Sequence, residues 1–475
     1  MAMTVTTQKP DLYPQVSAWA KWAPLAVIMC GTFVFILDIF VVNVALPSIQ
    51  HSLRAGPGAI EWVVAGYGLT MAAFLVFGGR LGDRYGRRLW FSVGLALFAA
   101  SSVLCAVAPD PAFLIAARLA QGLGAALMGP NTLSIMGMTY TGRDRVTAFS
   151  VYGIVMAVAA TGGQLLGGAL VEANIAGLGW RTVFWINVPI GLAALAVIRR
   201  LVPESRAAES GRLDLPGAAL LTASLVAVVL PLVTGRQEGW PAWSWACLAA
   251  SPVLFGLFAA YLRGMARRGR QPLIDPSIFA VPAFRNGLAV QLLFCAQQVA
   301  GFLVLALYLQ LGRGLSPLGA GGMFVLLAAG YVVTSFRAPA LTVRYGRRVI
   351  LIGALLCAVG NAMLMAAVWH WGTGGSLLAL VPGLLLGGAG QGLCITPLTT
   401  VVMSHADART AGSVSGALAT SQQVGNAIGI AAIGVVFYSL VGQGYAVAFR
   451  WSLAGMIGLL LAMAALTLTL PRRNG

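Results

Sequence analysis

An all-α polytopic membrane protein with fourteen spans is the fold class this sequence predicts, and three features carry the prediction. Apolar residues make up 59% of the chain and charged ones only 9%, where a soluble domain carries about a quarter. The apolar runs follow one another nearly end to end, each long enough for a bilayer, which takes about 20 residues per helix. Arginines gather in the breaks between alternate runs, as they do in loops on one side of a membrane. Only helices and closed barrels satisfy their backbone groups in lipid. These runs are too long and too uniformly apolar for the alternating strands of an outer-membrane barrel, about 10 residues each.

Charged or Pro/Gly-rich breaks set each span in turn. HSLRAGPG (51–58) separates span 1 (22–47) from span 2 (60–79), and GGRLGDRYGRR (78–88) separates that from span 3 (89–108). APDP (108–111) leads into span 4 (112–138), TYTGRDR (139–145) into span 5 (146–172), and ANIAGLGWR (173–181) into span 6 (181–199). The charged stretch 203–214 leads into span 7 (214–234), and TGRQEGWPAW (234–243) divides it from span 8 (243–262). RGMARRGRQPLIDP (263–276) precedes span 9 (285–311), GRGLSP (312–317) precedes span 10 (317–340), and RYGRR (344–348) precedes span 11 (349–369). HWGTGG (370–375), SHADART (404–410) and VGQGY (441–445) introduce spans 12 (376–403), 13 (411–440) and 14 (447–470).

An even number of spans puts both termini on one side. With the N-terminus cytoplasmic, 22 Lys/Arg fall in cytoplasmic segments and five outside, at Arg54, Arg181, Arg236, Arg313 and Arg450. That asymmetry selects this topology over its inverse. The net charge of +17 is scattered in short groups between apolar runs, whereas a nucleic-acid surface gathers its charge on a polar domain or one helix face. All six cysteines lie within apolar runs without a CxxC pair, as small buried side chains do. The first 21 residues lack the pattern of a cleaved signal peptide. His51, His370 and His405 form no metal-ligand cluster, and neither a GxxxxGK[ST] motif nor a catalytic constellation occurs. No metal, cofactor or enzymatic activity is expected.

Short stretches recur along the chain. YGRR at 85–88 returns at 345–348, an offset of 260; QGL at 121–123 returns at 391–393, an offset of 270; Gly163 and Gly167 match Gly425 and Gly429, an offset of 262. Two related halves of six spans suit alternating access around a site near the midplane. The expected organisation is a tail (1–21), an N-terminal six-helix bundle (22–200), two inserted helices (201–263), a linker (264–284), a C-terminal bundle (285–470) and a short tail (471–475).

Four arginines and an aspartate crowd the break at 79–88, GRLGDRYGRR. A positive-inside anchor explains Arg87 and Arg88, but not Asp83 or the spacing of Gly79 and Gly86. Span 1 holds LDIFVVNVALP (37–47), in which Asp38 is the only carboxylate well inside an apolar run. A charge at that depth costs at least about 2.5 kcal/mol and usually faces a cavity. Desolvation disfavours the ionised form, so Asp38 is a candidate proton carrier; the alternative is a neutral structural aspartate. Span 4 places Arg118 and Gln121 in one helix, where Arg118 either tunes a neighbouring carboxylate or ties helices together.

The 79–88 stretch resembles the signature loop of the major facilitator superfamily, GxLGDRxGRR. That resemblance implies a conformational gate of Gly79, Asp83, Arg84, Gly86, Arg87 and Arg88, with Asp83 locking one side against the start of span 13 near Arg409–Ser413. The echo in the second half has Val343 at the matching position, so the lock is one-sided. Span 1 resembles that of fourteen-span drug:proton antiporters, where the aspartate serves proton coupling or cationic-substrate binding; Asn43 and Pro47 match as well. RLAQG (118–122) resembles the family's RxxQG motif, which implies a role for Arg118 and Gln121 in proton transfer or its control. Span 5 has Gly163, Gly167 and Gly168 of the antiporter pattern, but Gln164 replaces its proline. WRTVFWINVPIG (180–191) matches the family's entry to span 6, and 411–431 matches its span 13, with Gln422 where arginine is common.

The remaining polar groups are weaker candidates. Glu61 and Glu172 stand at the external ends of spans 2 and 5, where solvation is the plainer expectation. Gln297, Gln298, Asn361, Gln423 and Asn426 are candidates for lining a cavity or for bonding helices together. The resemblance implies a monomeric antiporter of the bacterial cytoplasmic membrane that exports lipophilic or cationic small molecules. It needs no cofactor beyond the proton gradient, and its partners are the small molecule, protons and lipid. The alternatives are an importing symporter or facilitator and, more distantly, a transporter-like sensor.

Overall fold

The computed structural model describes residues 18–206, 214–235, 238–270, 272, 276–403 and 411–470, and its described elements are all helical. Among the described residues, fourteen helical segments are long and apolar enough to cross a membrane, the sixth being Gly179–Leu201, of which α6 (Asn187–Leu201) is the last and longest piece. They are α1 (Ala18–Leu53), α2 (Pro57–Tyr85), α3 (Arg87–Ala106), α4 (Pro111–Thr139), α5 (Gly142–Ala173), α6 (Asn187–Leu201), α7 (Leu215–Thr234) and α8 (Ala242–Arg267). The rest are α9 (Pro282–Leu307), α10 (Pro317–Ser335), α11 (Arg348–Trp371), α12 (Val381–Met403), α13 (Ala411–Leu440) and α14 (Tyr445–Thr467). The chain is a multi-pass membrane protein.

Local chemistry starts these helices. Pro57, Pro111, Pro282 and Pro317 sit in first turns, where a missing N–H costs nothing. Asp110, Asp214 and Ser316 accept hydrogen bonds from the backbone of Phe113 (2.9 Å), Gly217 (2.9 Å) and Gly319 (3.1 Å), satisfying N–H groups that have no partner within the helix.

Pairing within the first half recurs in the second. α2 and α3 both pack on α4, α1 packs on α5 and α6, and α3 packs on α6. Likewise α10 and α11 both pack on α12, α9 on α13 and α14, and α11 on α14. Between the halves, α2 meets α13 and α5 meets α10, which are equivalent contacts under that repeat. α7 touches both α2 and α13, and α8 packs on α7, with the Tyr261 hydroxyl donating to Asp214 at 2.7 Å.

The structure corrects several boundaries. Residues 79–85 are the last turns of α2, so the break expected at 79–88 narrows to Gly86, whose φ of 124° favours glycine. Span 6 divides into a short helix, Thr182–Trp185, and α6; span 10 stops at Ser335 and is followed by a short helix, Ala338–Tyr345. The repeat in span 4 also shifts. A Cβ on Gly122 would strike the Tyr67 carbonyl and one on Gly388 the Leu327 carbonyl, while Gly124 meets Gly94 as Gly390 meets Gly353. Packing therefore equates Gly122 with Gly388, and Gln391 lies one helical turn from the position equivalent to Gln121.

The halves are sealed at the end away from residues 79–88. There the Leu318 N–H donates to Glu172 at 3.1 Å and the Gln310 amide donates to the Val44 carbonyl at 2.9 Å. Gln310 lies on a π-helical turn, Tyr308–Gly312, that ends α9. Gly168 lies against the Pro317 carbonyl, and Gly321 against that of Gln164.

Candidate functional site

Asp38 and Arg118 form an ion pair in the first half, 0% and 1% exposed. α1 brings the carboxylate and α4 the guanidinium. Arg118 and Gln121 are three residues apart and so share a helix face. Gln121 donates to Asp38 at 3.0 Å and accepts from Arg118 at 2.7 Å. Asn187, the first residue of α6, donates to the same Asp38 oxygen at 3.0 Å. Ser102 on α3 accepts from Gln121 at 2.8 Å. The Arg118 Nε donates to the Val63 carbonyl at 2.9 Å, and its guanidinium lies 4.4 Å from the Tyr67 ring centre. Burying two charges carries a large desolvation cost, offset only where geometry is good and further hydrogen bonds complete each group. Here both carboxylate oxygens accept.

Arg118, and not Asp38, is among the residues lining a space between the two halves. This small space is lined by Arg118 and Tyr67 from the first half and by Gln423 and Asn426 from the second. Asn426 donates to Gln423 at 3.0 Å, and the Gln423 amide points at the Met71 sulfur, 2.9 Å away. A second cavity, lined by Gln297, Gln298, Asn361 and Gln391, lies inside the second half. The sequence candidates thus divide between two cavities. Asn43 joins neither: its amide donates to the Ile39 carbonyl one turn back, at 3.1 Å.

At the opposite end, Glu61 is fully buried rather than solvated, with its carboxyl against Gly434 of α13. Glu172 remains exposed and caps the first turn of α10. Gly163 and Gly167 let α5 approach α1 at Phe40 and Val41. Gln164 is buried, and both polar atoms of its side chain are without a hydrogen-bond partner among the described residues.

At the motif end, Arg87 donates to Asp83 through Nε (3.0 Å) and Nη2 (2.8 Å). Arg84 lies on the neighbouring Tyr85 ring, at 5.3 Å. Gly79 packs on Pro130. Of the segment proposed to hold Asp83, Arg409, Thr410 and the side chains of residues 411–413 lie outside the described residues. Glu204 is the partner that the sequence reading missed. It accepts from the backbone of Arg88 (3.0 Å) and Leu89 (3.2 Å), capping α3, and a Cβ on Gly86 would come within 2.8 Å of its carboxyl. Arg88 also bonds the Arg199 and Val202 carbonyls at the end of α6. Arg347 repeats this in the second half, on the carbonyls of Leu468 and Leu470. Asn187 was missed too, although it stands inside the quoted span-6 segment; its bond to Asp38 joins residues 149 apart.

Comparison with known proteins agrees with this architecture. Residues 28–430 match the family described as Major Facilitator Superfamily. A probable actinorhodin transporter of Streptomyces coelicolor is 38% identical over 89% of this chain and 73% of its own. The cephamycin export protein CmcT of Amycolatopsis lactamdurans is 34% identical over 92% and 90%. Multidrug resistance protein Stp of Mycobacterium tuberculosis is 35% identical over 86% and 74%. Among solved structures, the peptide transporter POT in complex with sulfate aligns with a TM-score of 0.67 at 18% identity, covering 96% and 97% of the two chains, a likeness of fold alone. With fourteen apolar helices, a buried ion pair beside a cavity shared by two repeated halves, and a family match across most of its length, the chain belongs to the Major Facilitator Superfamily and is a membrane transporter.

Proposed function

We propose that this transporter is an exporter of neutral or monocationic lipophilic small molecules, driven by protons moving the other way. One observation carries the reading: Arg118 separates the buried Asp38 carboxylate from the cavity shared by the two halves. While Asp38 is ionised, the pair is neutral and the cavity admits a cation or a neutral molecule. Protonation removes the negative charge and leaves Arg118 positive beside the cavity, which expels a cation. For a cationic substrate the two occupancies therefore exclude each other, as antiport requires. The relatives named for antibiotic transport and multidrug resistance support the outward direction. The arginine asymmetry supports a cytoplasmic location for both termini and the 79–88 segment, and with it an outward position for the sealed end. A bacterial cytoplasmic membrane fits the sources of those relatives. A facilitator is the second reading, because Gln164 replaces the proline of the antiporter pattern.

Protein in liposomes holding a pH-sensitive dye, under an imposed proton gradient, tests this with ethidium as substrate. Wild type is expected to couple ethidium movement to proton flux, and Asp38→Asn to lose the coupling while remaining folded in the membrane. Ethidium movement without proton flux in the wild type would establish the facilitator.

A further inference from the structure

We propose that Tyr67 of α2 is a positioning residue of the coupling site, whose ring face receives Arg118 when Asp38 takes up a proton. The inference rests on the proton-coupled export reading and names the residue through which that site responds to the proton. Tyr67 is 2% exposed, and the Arg118 guanidinium lies 4.4 Å from its ring centre. Its hydroxyl donates at 3.1 Å to the carbonyl of Phe35 on α1, three residues before Asp38. α4 comes close to α2 at this level because Gly122, one turn beyond Arg118, lies against the Tyr67 carbonyl. The Val63 carbonyl, one turn before Tyr67, accepts from the Arg118 Nε at 2.9 Å. α2 thus holds the guanidinium by two contacts that do not involve Asp38.

The ring matters most once the counter-ion is gone. A cation over an aromatic face is attracted by the ring's quadrupole, more strongly where water is excluded. While Asp38 is ionised, its charge offsets that of Arg118 and the ring adds little. Protonated Asp38 leaves a guanidinium that is 1% exposed and is stabilised by neutral groups alone. Gln121 (2.7 Å) and the Val63 carbonyl remain as acceptors, and Tyr67 supplies the face; Phe184 stands farther off, at 5.8 Å. Tyr67 therefore favours the protonated state. Among the described residues, the other titratable side chain facing the pair is Cys105 of α3, whose thiol donates to Gln121 at 3.6 Å. Around Asp38, α5 brings Gly163, α6 brings Asn187 and α9 brings Phe302, none of them charged. On α2 itself, Glu61 turns its carboxyl to Gly434 of α13. Across the space that Arg118 and Tyr67 line, α13 presents the uncharged Gln423 and Asn426. A guanidinium drawn onto Tyr67 rests on α2, the helix that meets α13, so proton uptake is felt where the halves join.

The test is equilibrium binding of ethidium, a permanent cation, to the purified full chain in lipid nanodiscs over a series of pH values. Proton uptake at Asp38 opposes ethidium, so the midpoint of the affinity curve reports the proton, whereas the limiting affinity at high pH reports contact with the dye. Without the ring, protonated Asp38 leaves a less stable guanidinium, and more acid is needed. Tyr67→Leu is therefore expected to move the midpoint about one pH unit lower, a tenfold loss of proton affinity. Tyr67→Phe, which keeps the ring face, is expected to recover most of that shift. Phenylalanine carrying one, two or three ring fluorines at position 67 keeps the shape while weakening the negative face, and covers failure of the leucine variant to fold; the midpoint is expected to fall with each fluorine. A wild-type midpoint in Tyr67→Leu, equal shifts in Tyr67→Leu and Tyr67→Phe, or no trend across the fluorinated series would overturn the proposal alone. Wild-type affinity that does not change with pH would overturn the proton-coupled reading, and this inference with it.

Discussion

Asp38 accepts from three donors, Arg118, Gln121 and Asn187, and this saturation governs what a proton does there. Protonating the carboxyl turns one oxygen into a donor that faces other donors, so the cluster must rearrange. Gln164 presents the reverse case, two buried amide atoms without partners. Gln164→Leu removes that cost, about 1–3 kcal/mol, in the state sealed at this end. The variant should unfold at a higher temperature in detergent and export more slowly, because the sealed state becomes harder to leave; unchanged melting and turnover would refute this. At this scale the sequence revealed residues whose chemistry is conspicuous in lipid. Asp38 and Arg118 stand out because charge at depth is rare, whereas Ser102 and Asn187 are ordinary until folding brings four separate helices together.

α3 begins at Arg87 directly after a glycine, and its first N–H groups are satisfied by Glu204 from beyond α6. Capping of this kind is worth about 1 kcal/mol. Glu204→Ala is therefore expected to raise amide hydrogen exchange at Arg88 and Leu89 about fivefold. Unchanged protection would show that the Ser205 carbonyl, which accepts from the Arg87 N–H at 3.0 Å, and the Arg88 contacts hold the turn without it. Helix starts marked by proline and a capping acid were legible, as at Asp110–Pro111 and Asp214. Arg337 and Pro339 mark the break after Ser335, although the apolar run on either side carried span 10 through it. At Ile186 no charge or glycine interrupts the run, and only Asn187 stands between apolar residues. Matching letters could not fix the register of span 4: the QGL repeat pairs similar residues, but close helix contact at Gly122 and Gly388 sets the true equivalence.

Across the whole molecule, α2–α13 and α5–α10 are equivalent contacts, with α7 lying against both members of the first. Any rocking of the halves must therefore carry or slide α7, which gives the inserted pair a mechanical part beyond connection. Closure at the sealed end depends on Gly168 reaching the Pro317 carbonyl. Gly168→Leu is expected to hold that end open, lowering export severalfold and exposing a cysteine placed at Val44 to membrane-impermeant thiol reagents added from outside. Normal export with no added labelling would remove this contact from the gate. The two-half organisation was legible from the recurring motifs, whereas the sealed state was not, because glycines report close approach only once their neighbours are known. These meetings of glycine with main-chain carbonyl between the halves, at Gly168 and Gly321, involve no ionisable group and no particular neighbouring side chain. The cavity walls can therefore diverge through mutation without disturbing the gate, so a lineage of such chains could acquire new cargo while inheriting its moving parts unchanged.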